Sequence, residues 1–143
     1  VSTAGTHFNT SFIENQEQIN LRPDFLMLIY PVISLTDDLT HLGSRNALLG
    51  KKPSLKKIKE YSNELQVTAT TPACFLVHCK DDEVVKVQNS ISFYDALQKN
   101  KVPSELHIYE KGGHGFGMNN QTTHDKWMDK LKSWMEGNGW LNQ

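Results

Sequence analysis

Residues 106–117 read Leu-His-Ile-Tyr-Glu-Lys-Gly-Gly-His-Gly-Phe-Gly, a largely apolar strand that runs into a turn with glycines on both sides of one histidine. Glycine adopts backbone conformations that are closed to other residues, so the chain can bend sharply around the side chain of His114. We call residues 110–117 the histidine turn. Histidine is the side chain whose ordinary pKa, about 6.5, suits a general base near neutral pH. The pattern therefore predicts that His114 is a catalytic base that needs a carboxylate and a nucleophile.

A second apolar strand upstream supplies the carboxylate. Residues 75–85 read Phe-Leu-Val-His-Cys-Lys-Asp-Asp-Glu-Val-Val, so this strand ends in a loop with two adjacent aspartates. We call residues 80–86 the acid loop. In an α/β-hydrolase the nucleophile, the acid and the histidine follow one another along the chain, and the last two lie on loops after late strands. The chain shows the second and third members in that order.

Several motifs carry a resemblance to a known family. They are Arg22-Pro23-Asp24-Phe25, residues 29–34 (Ile-Tyr-Pro-Val-Ile-Ser), residues 61–64 (Tyr-Ser-Asn-Glu), residues 78–85 and residues 109–117. The run from Arg22 to Trp140 resembles the C-terminal half of α/β-hydrolases of the acetylxylan esterase and feruloyl esterase-like group, whose members are often named xylanases or esterases. The resemblance implies an esterase that acts on acetyl or feruloyl esters of plant polysaccharides such as xylan.

The resemblance also implies roles for individual residues. In the family pattern H-x-x-x-D-x-x-V the catalytic acid falls on Asp82, and the histidine before a Gly-Phe pair falls on His114. Lys86 replaces the usual proline after the valine, which changes the rigidity of the loop. Asp81 is expected to turn outward or to bind the backbone of its own loop. The plainer alternative is that both aspartates only shape the loop and that His114 is structural.

The first strand is predicted at residues 25–30, where six apolar residues without alternation lie between Pro23 and Pro31. Such a run is typical of a central parallel strand that is buried on both faces. Tyr30 then emerges at the carboxyl edge of the sheet, where open α/β folds bind ligands. We assign Tyr30 and Phe116 as candidate substrate-binding residues, while a core position for Tyr30 is the alternative.

Helices are predicted between and after the strands. A short helix ended by Gly50 and a second helix capped by Ser54 are predicted in an insertion at about 36–66, which the resemblance implies is part of a cap over the active site. The lysines of this insertion are expected to face solvent. An amphipathic helix covers about 87–99, and a closing helix lies between Thr123 and Trp140, with an apolar stripe. The predicted fold is α/β, a partial α/β-hydrolase with about three parallel strands near 25–30, 74–79 and 105–109, flanked by helices, and residues 1–143 form the C-terminal portion of one domain.

The N-terminal residues are predicted to be internal to a longer protein. Residues 1–8 are small and weakly helical, and the resembled family has its nucleophile elbow, G-x-S-x-G, immediately upstream of such a segment. Ser2 is a poor nucleophile candidate because Ala4 stands where an elbow needs glycine. Residues 9–22 suggest the end of a helix and a surface loop. We therefore expect this chain to lack its nucleophile and to be inert by itself, and its compartment is left open.

Composition excludes several other functions. A net charge of −1 and a pI of about 6.6 give no electrostatic footprint for nucleic acid or for an anionic membrane. No run approaches the ~18 apolar residues of a transmembrane helix. The histidines have no metal-ligand spacing, so we predict no metal and no cofactor. Cys74 and Cys79 lie about 16 Å apart along one strand, too far for a disulfide, and Cys79 lacks the glycines of a nucleophile elbow.

Three other functions are compatible with parts of the pattern. A peptidase of the prolyl oligopeptidase type uses similar Asp and Gly-His turns, and a non-catalytic relative would keep the fold while binding glycans or proteins. A flavodoxin-like module would need a phosphate-binding glycine loop, which residues 30–34 do not provide. Because an apolar strand edge near 25–30 favours pairing with another strand, we also predict that the chain self-associates through that edge or packs its N-terminal segment across it.

Overall fold

The computed structural model describes residues 22–141, which form a parallel three-stranded sheet with helices on both faces. The strands are β1 (Phe25–Ile29), β2 (Ala73–Cys79) and β3 (Ser104–Tyr109), in the spatial order β1-β2-β3. Phe25 pairs with Ala73, and Cys74 pairs with Ser104. The three predicted strands and their parallel arrangement are confirmed. The predictions for residues 1–21 concern Ser2, the N-terminal helix and loop, and the packing of this segment across the sheet edge, and they lie outside the described residues.

The central strand, β2, is more deeply buried than β1. Every residue of β2 from Cys74 to Cys79 is buried, whereas in β1 only Leu26 is buried and Met27 is 48% exposed. The expectation that β1 is buried on both faces is therefore wrong for the described part of the chain. The physical reason is its position, since within residues 22–141 β1 pairs with β2 on one side only.

Four α-helices connect or follow the strands. They are α1 (Leu42–Leu49), α2 (Leu55–Tyr61), α3 (Gln88–Lys99) and α4 (Trp127–Gly137). Ser54 caps α2 by accepting a hydrogen bond from the N–H of Lys57, and Gly50 ends α1 with a φ of 82°. These ends are as predicted.

The second helix is shorter than its apolar periodicity indicates. It ends at Tyr61, and a 3-10 turn covers Asn63–Leu65. The side chain of Ser62 donates to the carbonyl of Ile58 and accepts from the N–H of Leu35. Because these bonds tie Ser62 to the segment after β1, the helix stops there.

Successive residues of β2 point to opposite faces of the sheet and build two cores. Cys74 and Leu76 pack with α3, in the cluster Leu26, Ile33, Cys74, Leu76, Phe93, Leu97 and Val102. Phe75 and Val77 pack with α4, in the cluster Phe75, Val77, Cys79, Tyr109, Trp127, Leu131 and Trp134. The stripe predicted for the closing helix is thus mainly core. Because the strands are parallel, their carboxyl ends share one edge, to which Tyr30, the acid loop and the histidine turn belong.

Among residues 22–141, no helix has both the length and the apolar character that crossing a membrane requires. Both cysteines are free and buried, as predicted.

Candidate active site

Asp82 is held in place by the backbone of its own loop. The N–H groups of Val84 and Val85 donate to its Oδ1 at 2.9 and 2.8 Å. Its side chain has no solvent exposure. These bonds form because the chain turns directly after β2, which brings the two valine amides back over the aspartate. The carboxylate therefore has a fixed orientation, with Oδ2 directed toward the histidine turn.

His114 binds the second oxygen of this carboxylate. Its Nδ1 lies 2.7 Å from Oδ2 of Asp82. Because an ionised carboxylate only accepts hydrogen bonds, Nδ1 carries the proton, and Nε2 of the neutral ring is left with a lone pair. Within residues 22–141, Nε2 has no hydrogen-bond partner, and the side chain is 32% exposed. This geometry suits a general base that faces solvent or a substrate.

His78 contacts the same carboxylate oxygen from the buried side. Its Nε2 lies 3.1 Å from Oδ2 of Asp82 and 2.9 Å from the carbonyl oxygen of Val85. Its Nδ1 lies 2.8 Å from Oγ of Ser90 on α3. Sequence reasoning gave no role to this histidine. The available signal was its position four residues before Asp82, at the end of the strand that leads into the acid loop.

Both buried groups have pKa values shifted in the direction that favours this arrangement. Burial by itself raises the pKa of Asp82, but hydrogen bonds from the N–H of Val85, from His114 and from the N–H of Val84 outweigh it, and the net shift is downward. For His78, burial lowers the pKa and outweighs the opposing effects of the Val85 carbonyl and the Asp82 charge. Asp82 is therefore ionised and His78 is neutral near pH 7.

Asp81 has a different partner from the one expected. Its carboxylate accepts from the N–H of Gly113 at 2.8 Å and from the N–H of Gly112 at 3.3 Å. It therefore binds the backbone of the histidine turn and not that of its own loop, although it is exposed, in line with the expectation that it turns outward. The reason is that β2 and β3 are adjacent, so the loops after them meet. The two aspartates thus bind different parts of the histidine turn: Asp82 binds the imidazole of His114, and Asp81 binds the main-chain N–H groups of Gly112 and Gly113.

Close packing also requires glycine at the start of this turn. Gly112 has a φ of 142°, and a Cβ placed there would lie 2.6 Å from both Nδ2 of Asn120 and Sγ of Cys79. Asn120 is buried and donates from Nδ2 to the carbonyl of Lys111 at 2.7 Å. The turn is therefore fixed on its buried side as well as by Asp81.

Cys79 belongs to this packing. Its thiol donates to the carbonyl of Lys111 at 3.3 Å. Burial, with smaller effects from the charges of Asp81 and Asp82, raises its pKa to about 11. Because the thiolate is the reactive form of cysteine, Cys79 is poorly suited to act as a nucleophile near pH 7.

Tyr30 lies beside the imidazole, and Phe116 packs against Tyr30. The ring centroids of Tyr30 and His114 are 4.8 Å apart, and those of Tyr30 and Phe116 are 4.9 Å apart. Tyr30 has a φ of 41°, rare for a residue with a side chain, and its N–H donates to the carbonyl of Val77 at 2.7 Å. The structure thus brings the four predicted site residues together at one edge of the sheet. Their roles in catalysis and binding stay predictions.

The described residues supply an acid and base pair. No group of three or more His, Cys, Asp or Glu side chains in residues 22–141 has a geometry suited to a metal ion. Within the same range, no serine hydroxyl is hydrogen-bonded to Nε2 of His114. What the arrangement offers chemically is proton transfer at Nε2, backed by a buried negative charge.

Comparison with known proteins decides the family. The sequence profile of the prolyl oligopeptidase family matches residues 27–139, which include the end of β1, the acid loop and the histidine turn. The chain belongs to the prolyl oligopeptidase family. Its resemblance to the acetylxylan esterase group is also confirmed, because relatives of that kind align over most of the chain.

Two relatives and one crystal structure illustrate the resemblance to the acetylxylan esterase group. An acetylxylan esterase of Xylanibacter ruminicola is 34% identical over 140 residues, which are 94% of this chain and 29% of that protein. An endo-1,4-beta-xylanase B of Butyrivibrio fibrisolvens is 36% identical over 123 residues, 85% of this chain and 19% of that protein. An acetyl ester-xyloside bifunctional hydrolase from Caldicellulosiruptor lactoaceticus superposes with a TM-score of 0.81 at 41% identity, covering 85% of this chain and 44% of that one.

These alignments confirm the predicted fold class, a partial α/β-hydrolase with three parallel strands. The chain spans less than a third of the two curated relatives and less than half of the solved relative.

Proposed function

We propose that this prolyl oligopeptidase family member is part of a serine esterase that cleaves carboxylic esters, with Asp82 as the acid and His114 as the base. The observation that carries the proposal is the bond from Nδ1 of His114 to Asp82, 2.7 Å long, which leaves Nε2 unbonded within the described residues. A base of this kind serves a hydroxyl nucleophile.

The reaction has two balanced steps. In the first, a serine hydroxyl attacks the ester carbonyl carbon while Nε2 of His114 takes the hydroxyl proton, and the same proton passes to the alcohol as the C–O bond breaks. In the second, His114 takes a proton from water, the hydroxide attacks the acyl-enzyme, and the carboxylic acid leaves as the serine recovers its proton. Asp82 fixes the tautomer of the imidazole and stabilises the imidazolium that forms in each step.

The nucleophile is proposed to come from polypeptide outside residues 22–141. Support comes from the solved relative, more than twice as long as its aligned part, and from the absence of a serine at Nε2 within the described range. The oxyanion hole would come from backbone N–H groups beside that serine and from an early loop. We infer further that this serine lies outside the 143 residues, so that the chain would be inert by itself, and ester turnover by it above a His114→Ala control would contradict this point.

The proposed substrates are acetyl or feruloyl esters on plant polysaccharides such as xylan. The names of the aligned relatives, an acetylxylan esterase and an acetyl ester-xyloside hydrolase, support this class. Tyr30 and Phe116 support it in the structure, since the half-buried ring of Tyr30 next to the base and the ring of Phe116 packed edge-on against it provide apolar surface for a sugar or an aromatic acyl group.

A peptidase is the second candidate, because the matching family profile is that of the prolyl oligopeptidases. The two candidates are separated by assaying a longer protein that contains this chain and its N-terminal neighbour sequence. Hydrolysis of p-nitrophenyl acetate and acetylated xylan, with a proline-containing dipeptide anilide left intact, is expected. Cleavage of the dipeptide substrate alone would favour the peptidase.

A further inference from the structure

His78 lies at the end of β2 and has no part in the proton transfers of the proposed mechanism. Both His78 and Ser90 have 0% exposure. A polar ring in such a position is retained only when its nitrogens have partners, because an unpaired buried donor or acceptor is costly. Both nitrogens of His78 have partners, and one of these is the carboxylate of Asp82.

The partners determine which nitrogen carries the proton. Nε2 faces two acceptors, the carbonyl of Val85 at 2.9 Å and Oδ2 of Asp82 at 3.1 Å. Neither can donate, so the proton of the neutral ring is on Nε2. Nδ1 is then an acceptor, and it receives the hydroxyl proton of Ser90 at 2.8 Å.

We propose that His78 is a positioning residue for the triad acid: as the neutral Nε2–H tautomer, with Nδ1 accepting from Ser90, it donates a hydrogen bond to the same oxygen of Asp82 that binds His114. This inference rests on the proposed roles of Asp82 and His114. It adds a buried chain of side chains, Ser90, His78, Asp82 and His114, that runs from α3 to the exposed base.

With His78, all the lone-pair positions of the carboxylate are occupied. An ionised carboxylate has about four such positions. Oδ1 accepts from the N–H groups of Val84 and Val85, and Oδ2 accepts from His114 and His78. Rotation of the carboxylate would break bonds at both oxygens. The donor from His78 therefore fixes the direction of the lone pair that meets Nδ1 of His114.

The same donor limits how strongly Asp82 attracts a proton. A carboxylate that loses one of its donors becomes more basic and stabilises a positive imidazole beside it more strongly. The titratable groups that act on His78 are Asp82, from its own loop, and His114, from the histidine turn, while α3 contributes the neutral hydroxyl of Ser90. Removal of the donor should consequently change the pH dependence of the reaction.

The test uses the longer protein and three variants. His78→Met removes the donor at similar volume, His78→Gln places an amide N–H near the position of Nε2, and His107→Gln is the matched control. His107 is also bonded to a carboxylate, that of Glu105 at 3.0 Å, but lies on β3 outside the site. The measurement is kcat/KM for p-nitrophenyl acetate as a function of pH.

For His78→Met we expect kcat/KM to fall by about tenfold and the acid limb of the profile to move to higher pH. His78→Gln should return the limb toward that of the wild type, and His107→Gln should match the wild type. An unmoved acid limb in His78→Met, or a limb in His78→Gln displaced as far as in His78→Met, would overturn the inference.

A second measurement does not depend on catalysis or on the folding of the His78 variants. In ¹⁵N–¹H NMR of the imidazoles, His78 of the wild type should be the neutral Nε2–H tautomer at pH 7 and should take up a proton only at a lower pH than an ordinary histidine does. Ser90→Ala should keep this tautomer, because both acceptors at Nε2 remain. A Nδ1–H or protonated His78 in the wild type at pH 7 would overturn the inference. A wild type without any activity would contradict the proposed function, and the NMR result would still decide the state of His78.

Discussion

The carboxylate of Asp81 accepts a hydrogen bond from the N–H of Gly113 at 2.8 Å, one residue before the histidine whose ring binds Asp82. Two neighbouring carboxylates thus hold one turn in two ways, through its main chain and through its side chain. The angle at which the imidazole meets Asp82 depends on both. A displaced base transfers protons less efficiently, so we expect Asp81 to affect the rate of the proposed reaction although it is exposed.

Replacing Asp81 should therefore lower the activity without removing it. For Asp81→Ala in the longer protein, we expect kcat/KM to fall by about tenfold, because two backbone donors of the turn lose a charged acceptor. The measurement is ester hydrolysis at neutral pH. Glu83→Ala, an exposed acid of the same loop, is the control and should keep the wild-type rate. Equal rates for the two variants would contradict a positioning role for Asp81.

Acid should destabilise the fold in two successive ranges of pH. The pKa of His78 is lowered in the folded state. Its contribution to the free energy of unfolding is therefore complete above its pKa in the unfolded chain, near 6.5, and is lost as the pH falls below that value. The pKa of Asp82 is also lowered in the folded state. Its contribution to the free energy of unfolding is lost as the pH falls below the pKa of an unfolded aspartate, about 4.

We expect the free energy of unfolding, measured by urea titration, to decrease between pH 7 and pH 5 by up to about 1.4 kcal/mol per pH unit. His78→Gln should remove most of this slope, whereas His107→Gln should retain it. A free energy of unfolding that stays constant between pH 7 and pH 5 in the wild type would show that His78 titrates normally.

A side chain at Gly112 should destabilise the protein more than a side chain at Gly50, which also has a positive φ. Gly112→Ala places a Cβ 2.6 Å from Sγ of Cys79, whereas a Cβ at Gly50 meets nothing within 4 Å. Gly50→Ala is expected to lower the free energy of unfolding by about 1–2 kcal/mol through backbone strain alone. Gly112→Ala should cost about 1–3 kcal/mol more because of the overlap. Urea denaturation compares the two, and equal losses would contradict the packing described for the histidine turn.

The outer edge of β1 should drive association of the isolated chain. Within residues 22–141 this edge has no partner strand, and Met27 is 48% exposed. We predict that the chain of 143 residues forms dimers or larger species and that Met27→Lys shifts it toward the monomer, because a charge on an edge strand disfavours pairing. Sedimentation velocity measures both. A wild-type monomer at all concentrations would contradict this prediction.

The features predicted correctly from the sequence are those with local signals. The apolar runs that became β2 and β3, the cap at Ser54 and the glycines around His114 are each recognisable within a few residues. The pairing of Asp82 with His114 followed from family spacing and from the fact that carboxyl ends of parallel strands share one edge.

The features that were missed depend on how elements meet. Ser90 and His78 come from a helix and a strand whose faces are brought together only by packing, so nothing local marks them as a pair. The partner of Asp81 is set by the contact between two loops, and the end of α2 is set by Ser62 binding the segment after β1. The exposure of β1 is a property of the sheet, which a run of apolar residues does not reveal.

The most direct test of the central claim is labelling of the longer protein with a fluorophosphonate probe, which reacts only with a serine activated by a base. Wild type, His114→Ala, Asp82→Asn and His107→Gln are compared by mass spectrometry of the labelled peptide. We predict that a serine outside residues 22–141 is labelled in the wild type and in His107→Gln. Labelling should be abolished in His114→Ala and slowed by about four powers of ten in Asp82→Asn. A folded wild type that takes up no probe, or labelling that persists in His114→Ala, would contradict the assignment of Asp82 and His114 as the acid and base of a serine esterase.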